Sequence, residues 1–188
     1  MVELISTWPI WQTIRVLGMV SYLLLFTGIC LGILYSMPFW KGKTKAALYK
    51  YHSSATVAGV FCGIFHAMLL VIDLHMPFSW KEILIPFASR NEPLWNGLGT
   101  LALYGMLIIT FTTDIRTKLK KNVWRAIHFC SYPAFIAALA HGMGAGTDTK
   151  RFPIYLMYIC TSGIIVLLSV IRICFRRKQN IAHLANRG

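Results

Sequence analysis

The chain has 188 residues, of which 56% are hydrophobic and only 13% are charged, and its formal net charge is +13. A water-soluble domain is about 45–50% apolar and about 25% charged, so this composition excludes a disordered chain and argues against an ordinary soluble enzyme. The basic residues form short clusters between long apolar runs, a distribution typical of membrane proteins and not of nucleic-acid-binding surfaces. We therefore predict an all-α integral membrane protein that binds no nucleic acid.

Five apolar runs are long enough to cross the hydrocarbon core of a lipid bilayer. Such a span takes about 20 helical residues at a rise of about 1.5 Å per residue. Proline and glycine residues lie in the connections, where helices end. The predicted spans are residues 11–36, 47–75, 94–113, 124–144 and 153–175. We expect a single transmembrane domain over residues 1–188, built as a bundle of five helices.

The basic residues also predict how the bundle is oriented. Fourteen of the 19 lysines and arginines fall in the 37–50 connection, the 114–125 connection and the segment from residue 172 onward. Five of the six acidic residues lie on the opposite side. Because cytoplasmic loops carry the excess of positive charge, we expect a multi-pass protein of the cell membrane with its N-terminus outside and its C-terminus in the cytoplasm. No basic segment precedes the first run, so we expect no cleaved signal peptide.

Four of the six histidines lie inside two predicted spans at matching depths. His52 and His66 are fourteen residues apart on the second span, and His128 and His141 are thirteen residues apart on the fourth. Both spans run outward from the cytoplasm in the expected topology, so His52 and His128 share an inner level, while His66 and His141 share an outer level. Fourteen helical residues rise about 21 Å. The histidines thus predict two sites separated by most of the bilayer thickness.

The chemistry of these sites follows from what two imidazoles can bind inside a membrane, where ionisable residues are costly and usually functional. Two histidines without Cys, Asp or Glu at the same depth leave half of a tetrahedral zinc shell empty. A haem iron needs only two axial ligands, and neutral imidazoles supply them without added charge. The pattern favours two haems stacked across the membrane. A transporter or channel with a histidine path for protons or metal ions, or a purely structural subunit, are the alternatives.

Small residues lie between the two histidines of the second span. Ala55, Gly59 and Gly63 share one helix stripe with His52 and His66, as their spacing of three and four residues indicates. Residues with little or no side chain predict space for flat macrocycles. The alternative is that Gly59-x-x-x-Gly63 is a helix-packing motif.

The fourth span contains a proline between its histidines. Thirteen residues on an ideal helix would leave His141 rotated by about 140° from His128. Pro133 is expected to kink the helix or loosen its winding. Phe135 lies between the two levels, where its ring would sit either between two porphyrins or in ordinary packing.

The double histidine spacing carries a resemblance to a known family. A pair of histidines thirteen or fourteen residues apart on each of two helices resembles the ferric-reductase-like transmembrane domain shared by NADPH oxidases and ferric-chelate reductases. The stretch from Trp124 through His128 and Tyr132-Pro133 to His141-Gly142 and Gly146-Thr147-Asp148 is similar to the small bacterial stand-alone members. The haem subunits of periplasmic methionine sulfoxide reductases are related. The resemblance covers about residues 45–175.

This resemblance implies a bundle around two stacked b-type haems, bound in a core of about residues 45–175. It implies that His52 and His128 are the axial ligands of the inner haem iron, and that His66 and His141 are those of the outer haem iron. Electrons would pass from a separate cytoplasmic flavin reductase or a quinol to an extracytoplasmic acceptor, namely ferric iron, dioxygen, a flavoprotein or a sulfoxide reductase. A flavin or quinone at the membrane surface is a further cofactor to expect.

Two departures from the family pattern refine these expectations. Complete enzymes of the family append flavin and nicotinamide domains after the last span, and no G-x-G-x-x-G occurs here. We therefore expect an electron-transfer component that does not oxidise NADPH unaided. Members commonly have six spans, which leaves open a sixth or re-entrant helix in segment 77–93.

Three basic residues are candidate partners for haem propionates. Lys50 and Arg125 would lie beside the inner haem, although the positive-inside distribution already explains their presence. Arg15 lies one or two turns inside the outer end of the first span, which is too deep unless it snorkels or meets an anion. A propionate of the outer haem is the expected partner. The remaining histidines, His75 and His183, are interpreted as a loop residue and a tail residue.

Overall fold

The computed structural model describes the backbone of residues 9–74 and 76–185 and the side chains up to residue 177. Within these residues the protein consists of α-helices and one short 3₁₀ helix, with no strand. The α-helices are α1 (Ile10–Tyr35), α2 (Gly42–Ile72), α3 (Trp80–Leu84), α4 (Pro93–Asp114), α5 (Lys121–Phe129), α6 (Ser131–Ala145) and α7 (Phe152–Ala185), and the 3₁₀ helix is Arg116–Lys118. The predicted all-α class is confirmed.

Five helical segments are long and apolar enough to cross a membrane. They are α1, α2, α4, the segment Lys121–Ala145 that contains α5 and α6, and the Phe152–Arg177 part of α7. Large apolar side chains are exposed along them, including Phe61, Phe65 and Ile108, each more than half exposed. A helix that is apolar on all sides belongs in lipid or in a large core. The chain is a multi-pass membrane protein.

Two helices continue past their apolar runs into basic sequence. α2 begins at Gly42, before the expected start at residue 47, and includes Lys43 and Lys45. α7 extends beyond the expected end at residue 175 and includes Arg176 and Arg177. Lysine and arginine are good helix formers, so the helix continues where the hydrophobic signal ends.

The fourth span is broken at Cys130. Proline lacks an N–H, and its ring collides with the carbonyl of the residue four positions earlier. For Pro133 that residue is Phe129, which is the last residue of α5. The Cys130 N–H donates instead to the Ile127 carbonyl at 3.0 Å, and α6 resumes as the Ala134 N–H donates to Cys130 at 3.0 Å. The expectation that Pro133 disturbs the winding is confirmed.

Segment 77–93 contains a single helical turn that contacts α4. This turn is α3, which begins with a capping box. The hydroxyl groups of Thr100 and Tyr104 donate to the carbonyls of Ile83 and Leu84 at 3.1 and 2.6 Å. Both hydroxyls lie about two to three turns inside α4. A helix of five residues is too short to be a sixth span, and a re-entrant position of this segment in the bilayer stays a prediction.

The bundle is organised around two antiparallel helix pairs. α1 packs along α2 and α4 packs along α6, while α7 packs mainly against α1. On α2, a Cβ added to Gly59 would lie 3.0 Å from the Leu25 side chain, and one added to Gly63 would lie 3.2 Å from the Ser21 hydroxyl. The Ser21 hydroxyl also donates to the Gly59 carbonyl at 2.8 Å. The Gly59–Gly63 motif therefore serves close helix packing between α1 and α2.

Candidate functional site

Histidines of α2 face histidines of α5 and α6 in two pairs. The ring centroids of His52 and His128 are 6.1 Å apart with an interplanar angle of 72°. Those of His66 and His141 are 6.2 Å apart with an angle of 74°. We call them the inner pair and the outer pair, names that follow the expected topology. The two pairs share one geometry, and the four rings are only partly exposed.

The separation of the rings matches that of two imidazoles that share one metal ion. A ring nitrogen lies about 1 Å from its centroid, since the bonds of the ring are about 1.3–1.4 Å long. Histidine nitrogens bind metals at about 2 Å. Two rings on opposite sides of one metal ion therefore have centroids about 6 Å apart, the separation seen in both pairs.

Each pair supplies two donor groups and no more. Among residues 9–74 and 76–185, no group of three or more His, Cys, Asp or Glu side chains is placed to hold a metal ion. A bare zinc ion would need four ligands, whereas a haem iron needs two axial ones. The donor set fits haem better than a bare cation.

Three of the four imidazoles donate to a backbone carbonyl of a neighbouring helix. Their Nδ1 atoms lie 2.7–3.0 Å from the carbonyl oxygens. The contacts are His52 with Gly28 (2.7 Å), His66 with Ile14 (2.8 Å) and His141 with Trp95 (3.0 Å). Because a carbonyl oxygen only accepts, Nδ1 carries the hydrogen and Nε2 keeps its lone pair. Each of these rings is prepared to bind a metal through Nε2.

A glycine lies four residues after each of these three carbonyls. A Cβ added to Gly18 or Gly32 would lie 3.1 Å from the ring of His66 or His52, and one added to Gly99 would lie 2.8 Å from the ring of His141. The glycine thus leaves the space in which the imidazole sits. Sequence reasoning missed these support residues. The sequence feature that could have revealed two of them is the spacing of Gly18 and Gly32, which are fourteen residues apart, as are the histidines that they contact.

A cavity of about 640 Å³ adjoins the outer pair. His66 and His141 line it, together with small residues that include Gly63, Gly99 and Gly142. Its volume lies within the range of about 300–1,000 Å³ that is usual for cofactor and ligand sites. The cavity therefore has both the room and the paired nitrogen donors for a large planar cofactor. Gly59 and Gly63 border it while packing on α1.

Comparison with known families identifies the fold around these histidines. The profile of the family described as "ferric reductase like transmembrane component" matches residues 17–139, well over half of the chain. The chain belongs to this family. No curated protein and no solved structure matches the chain. The match includes His52, His66 and His128 and ends just before His141.

Membership in the ferric-reductase-like family confirms the resemblance noted in the sequence. Domains of this family generally bind haem. The presence of such a domain indicates electron transfer in a membrane, and members of the family work with redox partners. The paired histidines thus lie in a domain of a type that carries this cofactor.

Arg15 lines the same cavity and contacts a carboxylate of the protein itself. Its Nε donates to Oδ2 of Asp148 at 2.6 Å, and a terminal guanidinium nitrogen donates to the same oxygen. Arg151 lies on the other oxygen, with its Nε 3.2 Å from Oδ1. The hydrogen bonds from Arg15 hold the pKa of Asp148 below its ordinary value. Asp148 is thus the anion that a deeply placed arginine needs, and a contact of Arg15 with a propionate stays a prediction.

We expect Asp148→Asn to lower stability at neutral pH by about 1–2 kcal/mol, because Arg15 keeps its charge and loses its charge-assisted hydrogen bonds. Folding lowers the pKa of Asp148. The stabilising contribution of ionised Asp148 is therefore complete at pH values above the pKa of aspartate in the unfolded chain, about 3.9. This contribution is lost as the pH falls through the pKa of Asp148 in the folded protein. Thermal unfolding in detergent across this pH range tests the prediction. Asp114→Asn, at an exposed position on α4, is the control, and a stability difference that persists at low pH would contradict the prediction.

Lys50 and Arg125 flank the inner pair along the sequence. Lys50 precedes His52 by two residues on α2, and Arg125 precedes His128 by three on α5. Both side chains are exposed. Their contact with a bound cofactor stays a prediction. His75 and the side chain of His183 lie outside the described residues.

Phe135 lies between the two pairs along α6 and is packed inside the protein. Its side chain is only 4% exposed. Its ring stacks on Tyr22 with centroids 5.2 Å apart, and Tyr22 meets Tyr158 edge-on at 5.0 Å. The Tyr22 and Thr161 hydroxyls are hydrogen-bonded at 2.7 Å. Phe135 thus belongs to an aromatic cluster that joins α6 to α1 and α7, and a position of its ring between two porphyrins stays a prediction.

Proposed function

We propose that the protein is a membrane b-type cytochrome that carries electrons across the bilayer through two haems. The observation that carries the proposal is the matching geometry of the inner and outer histidine pairs, with ring centroids 6.1 and 6.2 Å apart. Membership in a family that generally binds haem supports it. In this proposal His52 and His128 ligate the inner haem iron, and His66 and His141 ligate the outer haem iron.

When bound, each haem supplies an iron that accepts and gives one electron. The protein holds the ligands in place. The carbonyls of Gly28, Ile14 and Trp95 fix the tautomers of three imidazoles, which orients the rings and raises the basicity of Nε2. The glycines beside those rings provide space that a side chain would fill.

The direction of electron flow follows from the proposed topology. The basic clusters support a cytoplasmic C-terminus and an extracytoplasmic N-terminus. Electrons would then enter at the inner pair from a separate flavin reductase or a quinol, with a flavin or quinone at the membrane surface as a further cofactor. They would leave from the outer pair to ferric iron, dioxygen, a flavoprotein or a sulfoxide reductase. The chain itself would be the electron-transfer component of this system.

The three basic residues complete the proposal. Lys50 and Arg125 are proposed to pair with the propionates of the inner haem. Arg15, which lines the outer cavity, is proposed to pair with a propionate of the outer haem while it keeps Asp148 as its protein partner. A guanidinium carries five donors, so the contact with Asp148 leaves donors for a second anion.

An absorption spectrum of the purified protein tests the proposed function. We expect a Soret band and α-bands that sharpen on reduction, at about two haems per chain, as two low-spin bis-histidine sites require. Haem content measured against protein concentration checks the stoichiometry. A protein without reducible bands would contradict the cytochrome proposal and would leave the hypothesis of a proton or metal-ion transporter.

A further inference from the structure

Among the four paired histidines, His128 differs in how its ring is held. Its Nδ1 is buried and has no hydrogen-bond partner among the described residues, whereas the other three rings donate to carbonyls of α1 or α4 at 2.7–3.0 Å. The two pairs nevertheless have nearly the same geometry, with interplanar angles of 72° and 74°. The orientation of the His128 ring therefore depends on a group other than a carbonyl.

The short helix that carries His128 turns only a narrow side toward the rest of the protein. Most side chains of α5 are exposed, and its partly buried residues are Trp124, Ile127 and His128. Their spacing of three and four residues places them on one side of the helix. Ile127 packs against the hydrophobic core. Trp124 lies one turn before His128 and is thus placed to contact it within α5 itself.

The indole of Trp124 covers one side of the His128 ring. The ring centroids are 5.3 Å apart and the planes are inclined by 29°, a separation within the range of about 4.5–7 Å that is usual for aromatic pairs. The Nε1 of Trp124 is itself buried and has no partner among the described residues. The contact is therefore made by the ring face and not by a hydrogen bond, and it restricts rotation of the imidazole about its Cβ–Cγ bond.

We propose that Trp124 is a positioning residue that sets the ring plane of His128 by stacking, as a carbonyl does for each of the other three histidines. The plane of His128 lies within 29° of that of Trp124, and the plane of His52 lies at 72° to it. Trp124 thus sets the angle between the two imidazoles of the inner pair. This support lies within α5, whereas the ring of His141 depends on the Trp95 carbonyl of α4.

Two substitutions separate stacking from hydrogen bonding. Trp124→Phe keeps an aromatic ring and removes the Nε1–H group. Trp124→Leu removes the aromatic ring and keeps an apolar side chain. Because stacking is the proposed cause, we expect Trp124→Phe to resemble the parent protein and Trp124→Leu to differ from it.

Electron paramagnetic resonance of the oxidised full-length protein measures the ring planes, since the g values of a low-spin bis-histidine haem depend on the angle between its two imidazoles. This measurement rests on the proposed function. We expect Trp124→Leu to shift or remove the signal of one haem and to leave the other unchanged, while Trp124→Phe keeps both signals. Equal spectra for Trp124→Leu and the parent, or equal changes in the Leu and Phe variants, would overturn the proposal.

NMR of the full-length protein with carbon-13-labelled histidine, kept reduced, gives a readout that does not require haem. The ring current of the indole displaces the resonances of a stacked imidazole, which His128→Gln identifies by their loss. We expect these resonances to move in Trp124→Leu and to move much less in Trp124→Phe. Resonances of His128 that stay in place in Trp124→Leu would overturn the proposal. If the protein binds no haem, the proposed function fails and this result still decides the role of Trp124.

Trp40→Leu is the matched control. Trp40 is also partly buried, its Nε1 also has no partner among the described residues, and its ring packs against Phe39 with centroids 5.1 Å apart. This variant should leave both haem signals and the His128 resonances unchanged. A change equal to that in Trp124→Leu would indicate a general effect of losing a tryptophan and would overturn the assignment.

Discussion

The His66→Ala variant is expected to bind one haem per chain instead of two, and His141→Ala is expected to give the same spectrum. These residues form the outer pair, whose rings are 6.2 Å apart. His52 of the inner pair lies about 20 Å from His66 along α2, so the inner haem should remain low-spin. Haem content per chain and the α-band of the reduced protein measure the effect.

The comparison with the inner pair provides the control. His52→Ala and His128→Ala should each lose the other haem and leave a second, common spectrum. The assignment is wrong if His66→Ala resembles His52→Ala rather than His141→Ala, or if both haems persist in all four variants. Two haems in His66→Ala and His141→Ala alone would exclude the outer pair as ligands.

Gly99→Val is expected to remove the outer haem although every proposed ligand is still present. An added Cβ at this position would lie 2.8 Å from the His141 ring, closer than carbon and nitrogen atoms pack, and valine adds two methyl groups beyond it. The His141 ring must then move away from the Trp95 carbonyl, to which its Nδ1 donates at 3.0 Å. We expect about one haem per chain, with the spectrum of His141→Ala, since a bis-histidine site needs both rings.

Gly163→Val on α7 is the matched control for this substitution. Among the described residues, no atom lies within 4 Å of a Cβ added to Gly163, apart from its own helix backbone and chain neighbours. The variant should keep both haems. Loss of haem in both valine variants would point to a general effect on folding, and retention of both haems in Gly99→Val would contradict the role of the glycine.

Much of this architecture was predictable from the chain because a bilayer imposes simple rules on sequence. The length of each apolar run predicts a span, and the fourteen-residue spacing of His52 and His66 predicts two levels on a helix. Pro133 also predicted a disturbed winding, because proline cannot donate to the carbonyl four residues earlier, that of Phe129, and its ring collides with it. These predictions involve local geometry, in which distance along the sequence corresponds to distance in space.

The supports of the site were not predictable in the same way. Every residue has a backbone carbonyl, so nothing in the sequence marks those of Ile14 and Trp95 as acceptors for histidines. The partner of Arg15 is Asp148, 133 positions away, and that pairing depends on how the loop after α6 meets α1. The glycines on α2 suggested room for a cofactor. In the structure, however, a Cβ added to Gly59 would lie only 3.0 Å from the Leu25 side chain of α1, so this glycine also allows close helix packing.

The repeated support along α1 restricts how this helix can change in length. Ile14 with Gly18, and Gly28 with Gly32, hold the two histidines of α2 at the same fourteen-residue interval. One residue inserted between the two supports would turn one of them by about 100° and shift it by about 1.5 Å relative to the other. Insertions and deletions in this part of α1 are therefore compatible with both levels only when α2 changes by the same number of residues.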